Sequence, residues 1–226
     1  MSGLRKSLPE LGFGGNQIQP SEIDRYEQYF IFAPSVDTAY IGTVTTAGSA
    51  AVVLKNALPD YPRNLAYSVT GVAGGMGGTF NLFGQDQFGG TVAERVTIGS
   101  ANGGGTVQGT AIFAKVASGN FSANGLGGTA LGTAAIGFGT APGTAGTAGN
   151  YFGLPTKLGG TADVKSITWI TTNTPTTLNG GTAIGTLVNT TTHSFCGTSG
   201  VAITDRYLVT FKPSFDASSL GTQAKL

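Results

Sequence analysis

The sequence predicts an all-β protein: a β-sandwich or jelly-roll-like domain with an extended N-terminal arm and one short helix. Three observations carry that expectation. The 226 residues include 38 glycines, and glycine disfavours helix interiors while suiting turns, bulges and close backbone contacts. Between the glycines run Thr, Val, Ile and aromatic residues, which favour strands. Those runs are short and regularly interrupted by turn signals, the pattern of sandwiches and barrels.

The N-terminal part reads differently. "MSGLRKSLPELGFGGNQIQP", Met1–Pro20, has prolines and no clear period, so it reads as an extended arm. In "PSEIDRYEQYFIF", Pro20–Phe32, Ser21 is placed as an N-cap with acidic residues in the first turn. Ile23, Tyr26 and Phe30 recur at i, i+3 and i+7, which predicts a short amphipathic helix. The chain is thus divided into an arm and helix over 1–35 and a single β-rich domain over 36–226. Leu4, Phe13, Ile23, Tyr26 and Phe30 are the candidate partner-contact residues, because an arm that orders on contact can wrap a large neighbouring surface.

From Asp37 onward about ten strand candidates follow. They are Thr38–Thr46, Ala50–Lys55, Arg63–Gly71, Gly78–Gln85 and Gly89–Ile98, then Thr106–Val116, Thr133–Thr140, Ala162–Ile170, Gly181–Asn189 and Asp205–Pro213. A Gly/Thr/Ala-rich loop is expected at about 119–150. It is densest in Gly125–Gly149, with one strand around Ala134–Phe138.

Composition narrows the function. Charged residues make up 10% of the chain and the formal net charge is +1, so the basic patch of a nucleic-acid binder is missing. No run approaches the roughly 20 apolar residues of a membrane span. The start lacks an apolar signal segment, which predicts assembly in a cytoplasm. The single cysteine, Cys196, leaves no internal disulfide framework.

Candidate reactive groups are few. In "FNLFGQDQFGGTVAERVTI", Phe80–Ile98, Asp86 sits among turn-forming glycines, where its side chain is expected to bond the turn backbone. Glu94 and Arg95 are consecutive in a strand and so face opposite sides. Glu94 shares its side with Val92, Val96 and Ile98 and is expected at a sheet margin or beside a basic partner. "HSFC", His193–Cys196, is too small a set for a zinc site. No phosphate-binding glycine loop and no G-x-S-x-G elbow is present. The expectation is a non-enzymatic protein with no catalytic residue, no cofactor and no metal. Trp169 with Tyr151 and Phe152 offers an alternative reading as a sugar-stacking platform, although Trp169 shares a strand side with Ile167 and so suits core packing.

Three segments, in order, resemble structural proteins of tailed-bacteriophage particles. "PRNLAYSVTG…GTFNLFGQDQFGGTVAERVTI", Pro62–Ile98, is similar to a pattern in which P-R-N opens a strand and a G-x-D-x-x-G turn joins two more. "GNYFGLPTKLGGTADVKSI", Gly149–Ile167, looks like the G-x-x-x-G-L-P segment before a further strand. "TDRYLVTFKPSFDASSLG", Thr204–Gly221, resembles a closing strand with a Pro- and Gly-bearing tail. The resemblance implies a β-sandwich-like virion component, a capsid decoration or minor head protein, with no catalytic residues. Its implied partners are other virion proteins, the major capsid protein among them, and copies of itself as a homo-oligomer, with no nucleic acid or membrane. Alternatives are a tail, connector or fibre-base protein, or a carbohydrate- or host-surface-binding β module. The helix expected over Ile23–Phe30 and the length of the Gly/Thr/Ala tract depart from the pattern.

Overall fold

The protein is all-β. The computed structural model describes residues 27–32, 36–45, 50–71, 77–99, 104–123, 132–139, 149–171, 174–179, 187–196 and 206–212. The strands begin with β1 (Glu27–Phe32), β2 (Gly42–Thr45), β3 (Ala50–Ala51), β4 (Val53–Leu54) and β5 (Ala66–Gly71). The hairpin β6 (Gly78–Gln85) and β7 (Thr91–Ile98) follows, then β8 (Gly104–Gln108), β9 (Lys115–Ala123) and β10 (Gly132–Gly137). The last six are β11 (Tyr151–Gly153), β12 (Val164–Thr171), β13 (Thr174–Asn179), β14 (Val188–Asn189), β15 (Ser194–Cys196) and β16 (Arg206–Phe211). A 3-10 turn, Thr161–Asp163, precedes β12.

Among the described residues the strand pairs are all antiparallel, and they make four sheets in two sandwiches. In the first, the sheet β4-β2-β10-β5-β8 faces the sheet β3-β9-β6-β7. Between them lies a core that includes Tyr67, Phe80, Leu82, Phe121 and Ile136. In the second, β1-β16-β12-β13 faces β11-β15-β14, across a core that includes Ile31, Phe152, Phe195, Tyr207 and Phe211. Period-two burial explains which residues reach each core. Along β6, Gly78, Phe80, Leu82 and Gly84 face inward, and along β16 so do Tyr207, Val209 and Phe211.

The helix expected to run through Phe30 is corrected to a strand. Glu27–Phe32 pairs along its length with Phe211–Arg206 of β16, which supplies the backbone partners that a helix would have made internally. The run Tyr29-Phe30-Ile31 is aromatic and β-branched, the composition that suits a pleated, half-buried surface. Ile31 is buried, while Phe30, on the other side, is 50% exposed. Ile23 and Tyr26 lie outside the described residues, as do Leu4 and Phe13.

The strand expected over Thr106–Val116 is two strands in different sheets. β8 ends at Gln108 and β9 starts at Lys115, with Gly109–Ala114 crossing between the layers. β9 continues to Ala123, so 119–123, expected as the start of a loop, is strand. Within that tract, Gly132–Gly137 forms β10 between β2 and β5. Ala134 and Ile136 on its inner side fill the first core.

Candidate functional site

The two sandwiches meet at "PRN", Pro62–Asn64. Arg63 bonds Phe113 by backbone in both directions, at 3.1 and 2.9 Å, and bridges Phe152 as well. Its side chain is fully buried. The guanidinium carbon lies 4.3 Å from the ring centre of Phe138, in the first core, and 4.7 Å from that of Phe152, in the second. Arg63 Nη1 pairs with Asp60 at 3.3 Å, and Nη2 donates to Asn150 Oδ1 at 3.4 Å. Burial pulls the arginine pKa down, and the adjacent Asp60 charge and hydrogen bond push it back up. Arginine suits this position because its planar cation presents a face to each ring and donors around its edge.

Asn64 completes the joint. Its Nδ2 donates to Gly109 O and Gly149 O, each at 2.6 Å. Its Oδ1 accepts from Tyr151 N–H at 2.8 Å. Gly153 N–H donates to Pro62 O at 2.7 Å. The second sandwich is continuous with the joint, since Phe152 stacks at 5.5 Å on Tyr207. The three segments that carry the resemblance therefore touch at one place, through Arg63, Phe152 and Tyr207.

The hairpin turn is held by its own carboxylate. Asp86 Oδ1 accepts from Phe88 N–H and Gly90 N–H, both at 2.8 Å, and Gly89 adopts a φ of 81°, which glycine accepts without cost. Glu94 faces inward and Arg95 outward, as strand alternation requires. No basic partner meets Glu94 among the described residues. Its Oε2 accepts from Tyr67 Oη–H at 2.7 Å, and its Oε1 from Thr110 and Ala111 N–H at 2.5 and 2.9 Å. Glu94 thus pins the crossing segment between β8 and β9. Burial, then the Glu94 charge and the bond to it, push the Tyr67 hydroxyl well above its ordinary pKa.

Above this hairpin lies an open cleft of about 810 Å³. One wall is the Asp86–Gly90 turn and the start of β7; the opposite wall is Asn189–His193, with Lys157 at one side and Thr110–Ile112 at the floor. Hydrogen bonds fix the walls to each other. Gln87 Nε2 donates to Thr192 O at 2.9 Å, and Asn189 Oδ1 accepts from Thr191 and Thr192 N–H at 2.9 and 3.1 Å. His193 has a φ of 48°, an uncommon left-handed conformation for a side-chain-bearing residue. Its Nδ1 accepts from Leu158 N–H at 3.0 Å, which places the proton of the neutral ring on Nε2. Burial, then Lys157, lower the His193 pKa, and Asp86 opposes them. Phe88 is 36% exposed, with the His193 ring edge-on to its own at 5.5 Å and Lys157 Nζ 5.7 Å from its ring centre.

Several expected sites are placed elsewhere. Phe152 is buried between Arg63, Phe195 and Tyr207, so its ring is core and is not available to the alternative sugar-stacking platform. The Trp169 side chain lies outside the described residues. Tyr151 bonds Cys196, and burial first, then the Cys196 charge, push its hydroxyl up to about 12. His193 and Cys196 separate, His193 into the cleft and Cys196 into the second core. Among the described residues no group of three or more His, Cys, Asp or Glu side chains converges as a metal site. The cleft itself was missed by sequence reasoning. Gln87 and Thr192, which join its facing walls, are 105 residues apart, and the one local signal was an aromatic, Phe88, in a turn. The chain matches no protein-family model, no curated protein and no solved structure.

Proposed function

We propose that the protein is a non-enzymatic structural component of a tailed-bacteriophage particle, a capsid decoration or minor head protein that stabilises the shell. One observation carries the reading. The three separated segments that resemble particle proteins meet at a single joint, where Arg63 lies against Phe152 and Phe152 against Tyr207. That convergence supports treating them as one architectural signature instead of three unrelated turns. The assignment of the polar groups agrees with a scaffold: Asp86 Oδ1, both Glu94 oxygens and His193 Nδ1 are engaged by neighbouring groups of the fold. The partners under this reading are the major capsid protein and copies of the chain, in a virion assembled in the host cytoplasm.

Mass spectrometry and cryo-microscopy of purified particles test the proposal. The expected result is the chain on the head surface at a copy number matching the shell lattice. A low copy number at the tail, connector or fibre base moves the protein there. Absence from the particle refutes the whole reading.

A further inference from the structure

We propose that the cleft between the Asp86–Gly90 turn and the Asn189–His193 loop is a binding site for a neutral saccharide, stacked on Phe88. This goes beyond the structural role and does not depend on where the protein is housed. The volume, about 810 Å³, falls in the range of small-molecule sites. The walls are already rigid: the turn is tied by Asp86 and Gly89, and the facing loop by Asn189, Gln87 and the His193–Leu158 bond. A preorganised site does not have to order its own loops when ligand enters, which favours affinity.

The chemistry of the lining selects the ligand class. A sugar ring has an apolar C–H face and a rim of hydroxyls. Phe88 offers an exposed aromatic surface for the first. Thr91 and Thr191, exposed and in the lining, offer hydroxyls that both donate and accept for the second, and Thr110, whose hydroxyl donates to Glu94 Oε1 at 3.4 Å, offers an acceptor. His193 adds a donor at Nε2, because its Nδ1 is used by Leu158. Charge argues against an anion as the preferred occupant. Among the described residues Lys157 is the single cation of the lining and Asp86 its single carboxylate, so these two formal charges cancel. A polyanion would find no second cation there, whereas a neutral polyol can use every group named.

The test is NMR titration of the isolated, isotopically labelled full chain with maltotriose, cellotriose and triacetylchitotriose, with calorimetry for affinity. The expected result is saturable binding of at least one of them, with shifts confined to amides of residues 86–92, 110–112, 157 and 189–193. Phe88→Ala is expected to weaken that binding by about tenfold or more, from the lost stacking and buried area. Phe88→Trp should retain it, and Phe83→Ala, exposed on the same hairpin, should leave it unchanged. Phe88 is a surface ring, and an unaltered spectrum away from the cleft verifies that each variant folds. No saturable binding by any of the three sugars overturns the proposal. So does binding whose shifts lie elsewhere, binding indifferent to Phe88→Ala, or binding of inorganic phosphate in the cleft in place of the sugars. None of these outcomes bears on whether the chain is found in particles.

Discussion

Replacing Arg63 with alanine removes the cation that Phe138 and Phe152 hold between the two cores, 4.3 and 4.7 Å from their ring centres. Each cation–π contact is worth about 2 kcal/mol when desolvated, as here. Truncation also leaves a void between the rings and withdraws the Nη1 and Nη2 donors from Asp60 and Asn150. Asp60 is 15% exposed and keeps the Tyr61 N–H at 2.9 Å, so water and backbone recover part of its solvation. Offsetting these gains is the cost of burying the guanidinium, which the variant no longer bears. Breaking a buried pair by removing one partner costs about 3–5 kcal/mol, and we expect Arg63→Ala to fall in that range. Against a total stability of about 5–15 kcal/mol for a domain, that is a large share. Urea denaturation at neutral pH is the assay, with hydrogen exchange at Asn64, Tyr151 and Gly153 reporting on the joint itself. Arg63→Met, which keeps an unbranched stem between the rings, should cost less than the alanine variant. An Arg63→Ala midpoint corresponding to a loss below about 1 kcal/mol, with unchanged exchange at those three amides, would refute the account of the joint.

Three other outcomes are expected. Glu94→Ala strands the Thr110 and Ala111 N–H groups and the Tyr67 hydroxyl; it should cost about 2–4 kcal/mol by denaturation, with faster exchange at 110 and 111. Gly84→Ala places a methyl group against the Lys115 carbonyl oxygen, beside the irregularity where Phe83 pairs with Ser118 but Gly84 with Val116; overpacking should cost about 1–3 kcal/mol. Stability should also fall in alkali. Burial raises Tyr29 and Tyr151 from 10.0 to about 12 and Cys196 from 9.0 to about 11, so above pH 9 the unfolded chain holds fewer protons than the fold. The stabilisation is therefore complete below pH 9 and is lost as pH rises through 10 to 12; a melting temperature that stays flat to pH 12 would contradict it.

The all-β character and most strand positions were legible in the sequence, because period-two burial is a local property of the chain. The alternation through Thr91–Ile98 separated Glu94 from Arg95, and the structure has the same separation. The Asp86 turn was legible for the same reason: carboxylate and N–H donors lie within four residues of each other. Glu27–Phe32 was not. Its spacing also fits a helix, and what makes it a strand is β16, nearly 180 residues away, offering a free sheet edge. The role of Glu94 likewise depended on Tyr67 and on the crossing segment at 110–111.

By itself the sequence determined a glycine-punctuated chain of short strands whose inward residues are apolar, since backbone freedom and side-chain period are set residue by residue. Only the tertiary structure decided that those strands divide into two sandwiches, that Arg63 and Asn64 join them, and that Phe88, Lys157 and His193 border one cleft. The reason is physical. Burial of a cation needs two rings and a carboxylate from distant segments to arrive together, and no local pattern in the chain encodes that meeting.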